Sequence, residues 1–597
     1  MDWQSFNIAP TQTTNFVQPS ASSVTLNRVQ AGDPSVIAGH LNANGQVILV
    51  NPSGVTFARG AQVNVNSLIA TPSDISNSDF MHGRMNFDIP SKDPNARVVN
   101  RGRITVAEKG LAALVAPGAA NSGVIQAKLG TVVIGGAKTF TVDFYGDGLI
   151  NFAMTAPVTA VPIGADGKPV TSLVSNSGRI EAAGGTVLMT ADAAAGILRN
   201  VVDVSGRVGA PTYAQTPGTV TVDAGAGNRA RVSGQIDVSG YRPGQVGGTA
   251  VVTGGSVDLA STARILARGP AGGGTVMIGG GPHGADAGVR DAQATNVASG
   301  AVIDASATAN GSGGNVTVWS DGTTTFNGTI FARGGPQGGD GGWVETSGRA
   351  LSIDANAVVD TGALVPSGKL GTWLLDPTDL DITTTTQNTT ESGGNPDTVS
   401  VTQPSDSGGA ATVSNTAIED ALVNGNVVLT TVGSPASTAG NPTGETATGK
   451  ITVDAPIAWM SANTLTMTAA GDIVINQPIA GAAGILILNA GGGVGQAAAG
   501  TISVAALEVS AVGPVSLGQA NAVGTVAGDV TGSGNSFLLS NSAALTVNTV
   551  DGVVGITTAG GNIGLITTAG NLTLSNNVAA GTASVALQSA GEILQNG

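Results

Sequence analysis

The sequence predicts an all-β fold, a right-handed parallel β-helix (solenoid) with an N-terminal cap and extra-helical strands, and three observations predict it. Asn100-Arg-Gly-Arg-Ile104 returns 21 residues later as Asn121-Ser-Gly-Val-Ile125, and the pattern recurs at Asn176-Ser-Gly-Arg-Ile180. Short self-similar units of this length cannot bury an apolar face alone and must stack on a neighbour. Glycine accounts for 90 of the 597 residues, which suits a coil that turns every few residues and draws on Gly or Asn for positive φ at its corners. Charged residues make up only 11 %, against about a quarter in ordinary domains, while 41 % hydrophobic residues argue against disorder.

Each echo is a turn signal, Asn-x-Gly, followed by an alternating strand, Ile104-Thr-Val106 or Ile125-Gln-Ala127. In the first two copies a second run follows, Leu111-Ala-Ala-Leu-Val115 or Thr131-Val-Val-Ile134. Residues 1–150 hold about half of the aromatics, among them Phe80, Phe87, Phe140, Phe144 and Tyr145, at irregular spacing, which predicts a cap with strands packed outside the coil. Residues 151–382 form a shaft punctuated by glycine corners, as in Gly234-Gln-Ile-Asp-Val-Ser-Gly240 and Gly328-Thr-Ile-Phe-Ala-Arg-Gly-Gly335. Residues 383–415, containing TTTTQNTTESGGNPD, lack any hydrophobic period and read as a polar linker or excursion. A helical segment is expected at Asn415–Val423. Further coils fill 416–597, with Leu465–Gly471 answered by Leu486–Gly491 and Ile556–Gly560 by Ile566–Gly570. The start, Met1-Asp-Trp-Gln-Ser-Phe6, does not read as a signal peptide, and the pattern stops in mid-repeat at Gly597, so both ends are expected to be cut.

The net charge of −15 and pI near 4.5 argue against nucleic acid as a partner, because binding it requires a face that neutralises phosphates. Beyond Lys369 the only basic residue is Lys450, so the last third is a nearly uncharged, Ser/Thr/Asn-decorated surface. Cysteine is absent, which removes disulfides and thiolate metal sites and suits a chain that crosses an envelope unfolded. No apolar run reaches the roughly 18 residues of a membrane span.

The block Trp3-Gln-Ser-Phe6, Leu26-Asn-Arg-Val29, Ser35-Val-Ile-Ala-Gly39, Leu41-Asn-Ala-Asn-Gly-Gln46, Asn51-Pro-Ser-Gly-Val55 and Phe57 resembles the N-terminal two-partner-secretion domain of the filamentous haemagglutinin family in order and spacing. Gly338-Gly-Asp-Gly-Gly-Trp-Val-Glu-Thr-Ser-Gly348 and Gly371-Thr-Trp-Leu-Leu-Asp-Pro377 are similar to downstream coils of that family. The resemblance implies a secreted or surface-displayed, adhesin-like exoprotein of a Gram-negative bacterium, exported through the periplasm by a dedicated outer-membrane transporter. Its other implied partner is a receptor or glycan on a host or bacterial surface. The family's Asn-Pro-Asn-Gly-Ile-type motif maps onto Asn51, Pro52, Ser53, Gly54 and Val55 as the transporter recognition motif, with Ser53 in place of the usual second Asn. The family's Asn-Pro-Asn-Leu motif is missing.

Taken alone, Asn-Pro-Ser-Gly is a β-turn with Pro second and Gly fourth, so Asn51 has two roles open to it, bracing the turn or touching the partner. The Gly272–Gly281 run lacks the Gly-Lys-Ser/Thr ending of a phosphate cradle and reads as a coil corner. Gly338–Gly342 is a single copy where calcium-binding repeats need tandem ones, and reads as a turn. Asp376, Asp379 and Asp381 offer the one clustered-carboxylate pattern of a polysaccharide-active β-helix, but Asp376-Pro377 starts a turn and no cluster of Arg or Lys accompanies it. His40, His82 and His283 show no metal-ligand spacing and no triad. The five tryptophans are isolated and suit packing. The expectation is therefore a non-enzymatic protein with no catalytic residues, cofactor or metal. The alternatives are a polysaccharide-active β-helical enzyme and the stalk of a contact-dependent toxin whose active domain lies beyond residue 597.

At about 21–25 residues per coil and about 4.8 Å per coil, 597 residues make a rod about 120 Å long. Circular dichroism is expected to show β-structure with very little helix, and small-angle scattering an elongated monomer. A near-spherical profile would contradict the coil.

Overall fold

The computed structural model describes residues 1–30, 32–143, 151–384, 388–391, 399–402, 411–432 and 448–596. The chain packs as two units. The first comprises Met1–Gly281, Asp286–Asn315 and Glu391–Val399; the second comprises Pro282–Ala285, Val316–Thr390 and Ser400–Gly597.

In the first unit the repeat is a coil of three short strands, such as Arg97–Asn100, Arg103–Val106 and Leu111–Ala116, followed by Gly118–Asn121, Val124–Gln126 and Thr131–Gly136. Each strand pairs in parallel with its counterpart in the next coil: Asn100 with Asn121, Ile104 with Ile125 and Leu114 with Ile134. Alternation within each strand then turns one set of side chains inward. The columns Ile104, Ile125, Ile180, Val208, Ile236, Ile265 and Leu114, Ile134, Met189, Val222, Val252, Ile278 run coil to coil and are fully buried. At roughly 1.5–3 kcal/mol for each buried Val, Leu or Ile, these columns supply the main driving force, and β-branched residues suit the flat, crowded stack.

Asparagine and glycine in the echo perform separate tasks. Asn100 Nδ2 donates to Asn121 Oδ1 at 2.8 Å, and Asn121 Nδ2 to Asn176 Oδ1 at 2.7 Å, so the buried amides form a ladder along the coil. Asn100 Oδ1 also accepts from Gly102 N at 3.1 Å, closing an Asx-type turn. The ladder stops where Val204 stands opposite Asn176. The glycines of the motif were expected to supply positive φ, and here the structure corrects the reading: Gly102, Gly123 and Gly178 are not among the positive-φ residues. They are required because coils touch. A Cβ on Gly123 would lie 2.1 Å from Gly102 O, and one on Gly178 2.2 Å from Gly123 O.

Returns between coils lengthen where extra structure is inserted. Asn100 to Asn121 is 21 residues, but Asn121 to Asn176 is 55, because strands Thr139–Asp143 and Asn151–Ala156 intervene. With Met85–Phe87 they form an antiparallel sheet outside the coil, in which Phe87 faces Phe140 with ring centroids 4.6 Å apart. This sheet seals Leu26, Ile48, Ile69, Ala113 and Val133 on the coil's outer face. The extra-helical strands expected from the aromatics are thus present, while Phe144 and Tyr145 lie outside the described residues.

In the second unit the echo Leu465 to Leu486 is a true coil register, continued by Leu507 and Val526. The expected helix is present at Asn415–Asn424 and buries Ala417, Ile418, Ala421 and Leu422. The pairing expected between Ile556–Gly560 and Ile566–Gly570 is overturned: Ile556 pairs with Gly528 and Val578, whereas Ile566 pairs with Ser540 and Gln588. Ten residues cannot complete a coil, so the two copies fall on successive strands of different ladders. Most of the polar stretch 383–415 lies outside the described residues; Ala411–Ser414, at its end, is a buried strand paired with Leu380–Thr383. Gly273 and Gly274 of the glycine run form a corner, the latter against Gly248 O, and lead into strand Thr275–Ile278. Gly335 and Gly338 bridge a tight turn.

Replacing Gly178 by Ala is expected to destabilise the first unit by about 1–3 kcal/mol through backbone displacement, read as a lowered urea midpoint and faster amide exchange in Val174–Glu181. Gly495→Ala, where a Cβ would meet nothing within 4 Å, is expected to leave the midpoint of the second unit unchanged.

Candidate functional site

The predicted motif sits at a corner of the first unit, between strands Gln46–Val50 and Val55–Phe57. Gly54 N donates to Asn51 O at 2.8 Å, the closing bond of a β-turn, and Ser53 N donates to Asn51 Oδ1 at 2.9 Å. Asn51 Nδ2 donates to Asp33 O at 3.0 Å and to Ser35 Oγ at 2.9 Å. Asn51 is wholly buried, so both of its amide N–H groups tie this turn to the preceding coil while its oxygen closes the turn itself. In this geometry Asn51 braces the turn.

The rest of the motif follows the same logic. Gly54 has φ of 101°, and a Cβ there would lie 2.5 Å from Arg97 O, so only glycine lets the turn lie against the next coil. Val55 is buried and pairs with Ser35 on one side and Val98 on the other. Pro52 is exposed and Ser53 half-buried, and these two form the outward surface. Ser53 Oγ donates to Gly32 O at 2.8 Å, and Ser91 Oγ donates to Pro52 O. Beside Ser91 a groove is lined by Lys92, Asp93, Pro117, Lys138 and Thr159. Asp33, Ser35, Ser91 and Arg97 were not legible as parts of the site, because each reaches the turn from another coil or an insertion.

A second cluster was also missed by sequence reasoning. In the second unit Glu345, on strand Trp343–Ile353, and Asp376, just after strand Thr372–Leu375, converge on His283 in the turn Pro282–Gly284. His283 N lies 3.1 Å and 3.3 Å from the two Glu345 carboxylate oxygens, and its Nδ1 lies 3.5 Å from Glu345 Oε1 and 3.7 Å from Asp376 Oδ2. Burial pushes the Glu345 carboxyl up to about 7, opposed by the His283 N–H and the Ser347 hydroxyl. Burial, then the neighbouring Glu345, pushes Asp376 up to about 7, opposed by His283. The two family-like segments GGWVETSG and LLDP held the signal, an acidic residue inside an otherwise apolar or Ser/Thr strand. The three aspartates read as a possible catalytic group are instead put to separate uses. Asp379 accepts from Thr448 N and Lys450 N as a cap, and Asp381 stands beside Thr452, raised by burial to about 6. Among the described residues no group of three His, Cys, Asp or Glu is arranged to hold a metal ion.

The first unit is thus a parallel coil sealed by an outer sheet, with a hydrogen-bonded Asn-Pro turn at its corner. Residues 1–238 match the family model described as TPS secretion domain. The chain is similar to the heme/hemopexin-binding protein of Haemophilus influenzae strain Rd, 33 % identical over 192 residues that make up 30 % of this chain and 19 % of that protein. A heme/hemopexin-binding protein of Haemophilus influenzae is 40 % identical over 93 residues, 16 % of this chain and 10 % of that one. The crystal structure of the HMW1 secretion domain from Haemophilus influenzae superposes with a TM-score of 0.53 at 29 % identity, covering 63 % of this chain and 92 % of the solved one. The chain spans at most about a fifth of the length of these curated relatives.

Two outcomes follow from this geometry. Asn51→Ala strands the Asp33 carbonyl, the Ser35 hydroxyl and the Ser53 N–H and is expected to cost about 2–4 kcal/mol, read as a lowered urea midpoint of the first unit. For the pH dependence, Glu345, Asp376 and Asp381 are all raised above their unfolded values of 4.5, 3.8 and 3.8. The folded chain therefore holds more protons than the unfolded one between about pH 4 and 7, and stability present at the acidic end is lost as pH rises through 6 to 7. Thermal unfolding of the second unit is expected at higher temperature at pH 5.5 than at pH 8.5, a difference of a few kcal/mol, and Glu345→Gln is expected to flatten the profile.

Proposed function

We propose that the first 238 residues are the address read by an outer-membrane transporter of the two-partner-secretion type, and that the coils beyond them carry an adhesive cargo to the surface of a Gram-negative cell. The observation that carries this reading is the turn at Asn51. A buried amide locks the backbone, so Pro52 and Ser53 are held outward in one fixed shape that a partner can read. In this reading Asn51 contributes by holding that shape, and Pro52, Ser53 and the adjoining Ser91 groove make the contact. The receptor or glycan engaged by the cargo is a surface molecule of a host or neighbouring cell.

The relatives named for heme and hemopexin binding share a small part of their length with this chain, which supports a common export module rather than a common cargo. A polysaccharide-active enzyme is disfavoured, because Glu345 is wholly buried and Asp376 nearly so, out of reach of a polymer.

The test is export of the chain, carrying a signal peptide, in cells with and without a cognate transporter, with extracellular and periplasmic protein measured side by side. Export is expected to require the transporter, and to fall several-fold in both Asn51→Ala and Ser53→Arg, with Ser53→Arg keeping the wild-type urea midpoint. Equal export without the transporter would overturn the reading. Loss confined to Asn51→Ala would leave the turn as a structural feature only.

A further inference from the structure

The contacts of Pro282–Ala285 are unusual for a surface turn. His283 holds φ of 55° and ψ of 19°, the left-handed region that non-glycine residues rarely adopt. The turn is seated as well as strained: a Cβ on Gly284 would lie 2.7 Å from the Trp319 indole, so glycine lets the backbone rest on that ring. Its backbone N–H points at Glu345 and its imidazole stands between Glu345 and Asp376, at distances of ionic attraction rather than hydrogen bonding. The imidazole is itself half exposed, with 49 % of its side chain open to solvent, while the two carboxyl groups beneath are buried. Asp376 Oδ1 is buried with no hydrogen-bond partner.

Two neighbouring carboxylates are engaged elsewhere. Asp321 accepts from Trp319 Nε1 at 3.3 Å, and Asp379 caps Thr448 and Lys450. Among the described residues, His283 and Ser347 favour the charged forms of Glu345 and Asp376. A single imidazole can offset at most one buried anion. A second leaves a charge in low dielectric without a partner, at a cost that is relieved only by admitting water.

We propose that Pro282–Ala285 is a proton-operated clasp, closed over Glu345 and Asp376 while the two carboxyl groups retain a proton between them and released when both become anionic. Closed, the turn covers Trp319 and keeps water from the carboxyl pair. Released, it uncovers a buried acidic pocket and returns His283 to a relaxed backbone conformation. The midpoint of the change belongs to the pair rather than to either residue.

Hydrogen exchange of the full chain followed by mass spectrometry between pH 6 and 8.5, corrected for the chemical rate, tests this. Protection of a peptide spanning residues 279–290 is expected to fall at least tenfold across the range, together with a red shift in tryptophan emission. Protection at the Asn100–Asn121–Asn176 ladder is expected to stay constant. Glu345→Gln with Asp376→Asn, a neutral isosteric pair, is expected to keep the clasp protected at every pH. His283→Gly, which retains the backbone N–H and suits positive φ, is expected to release it at lower pH. Should the double variant fold poorly, Asp376→Asn alone, which leaves a single anion beside His283, is expected to keep the clasp protected across the range. Protection in the wild type that does not change with pH, or the same response in wild type and carboxamide variants, would overturn the clasp.

Discussion

The contact between one coil and the next is the interaction on which the rest of this molecule depends. A single coil has three short strands and no apolar face it can bury alone, so each strand is stable only because its counterpart lies one strand spacing away. That spacing is enforced at the corners. Where Gly123 lies against Gly102 O, and Gly178 against Gly123 O, a methyl group would push the coils apart and spoil both the backbone ladder and the buried columns at once. The asparagine ladder acts at the same corner from the inside, passing a hydrogen bond from Asn100 to Asn121 to Asn176 and so holding the register that the aliphatic columns need.

Seen from this constraint, the motif at Asn51 is a specialised corner. It uses the same device as the repeating ones, an asparagine amide folded back on its own turn, but directs the remaining N–H groups to Asp33 and Ser35 of the preceding coil. A side chain with no exposed surface cannot be touched by a partner docked on the folded domain. What Asn51 supplies is the shape it gives Pro52 and Ser53. Val55 and Gly54 belong to the same argument: one fills the core, and the other lets Arg97 approach.

This division explains what could be read in advance. The coil was legible because its cause is local and periodic: Ile104, Ile125 and Ile180 recur beside the same Asn-x-Gly, and they do stack. The outer sheet was legible from Phe87 and Phe140, aromatics too large for the narrow interior of the coil. The role of the corner glycines was misjudged, because close approach between coils leaves no mark on the sequence distinct from a demand for positive φ. The Ile556 and Ile566 segments misled for a similar reason, since local similarity does not reveal which ladder a strand joins. The cluster of His283, Glu345 and Asp376 left only a partial mark, an acidic residue in each of two family-like segments, because 62 residues separate His283 from Glu345 and only the fold brings them together.

The narrow interior has a further consequence for acid–base behaviour. Asp203, Glu345, Asp376, Asp381 and Glu508 all have their carboxyl groups raised, in each case chiefly by burial. Partners temper this, as Arg231 does for Asp203 and Ser510 for Glu508, but do not reverse it. In the unfolded chain these groups are fully ionised at neutral pH. Forming the coils that bury Glu345, Asp376 and Asp381 therefore favours their protonated forms, and an extended chain carrying the same groups ionised repels itself more than the folded one does. The same low charge that lets coils stack closely thus sets a modest electrostatic bias: ionisation favours the extended form, and each carboxyl group that is buried and protonated as a coil closes removes some of the repulsion that opposes the next.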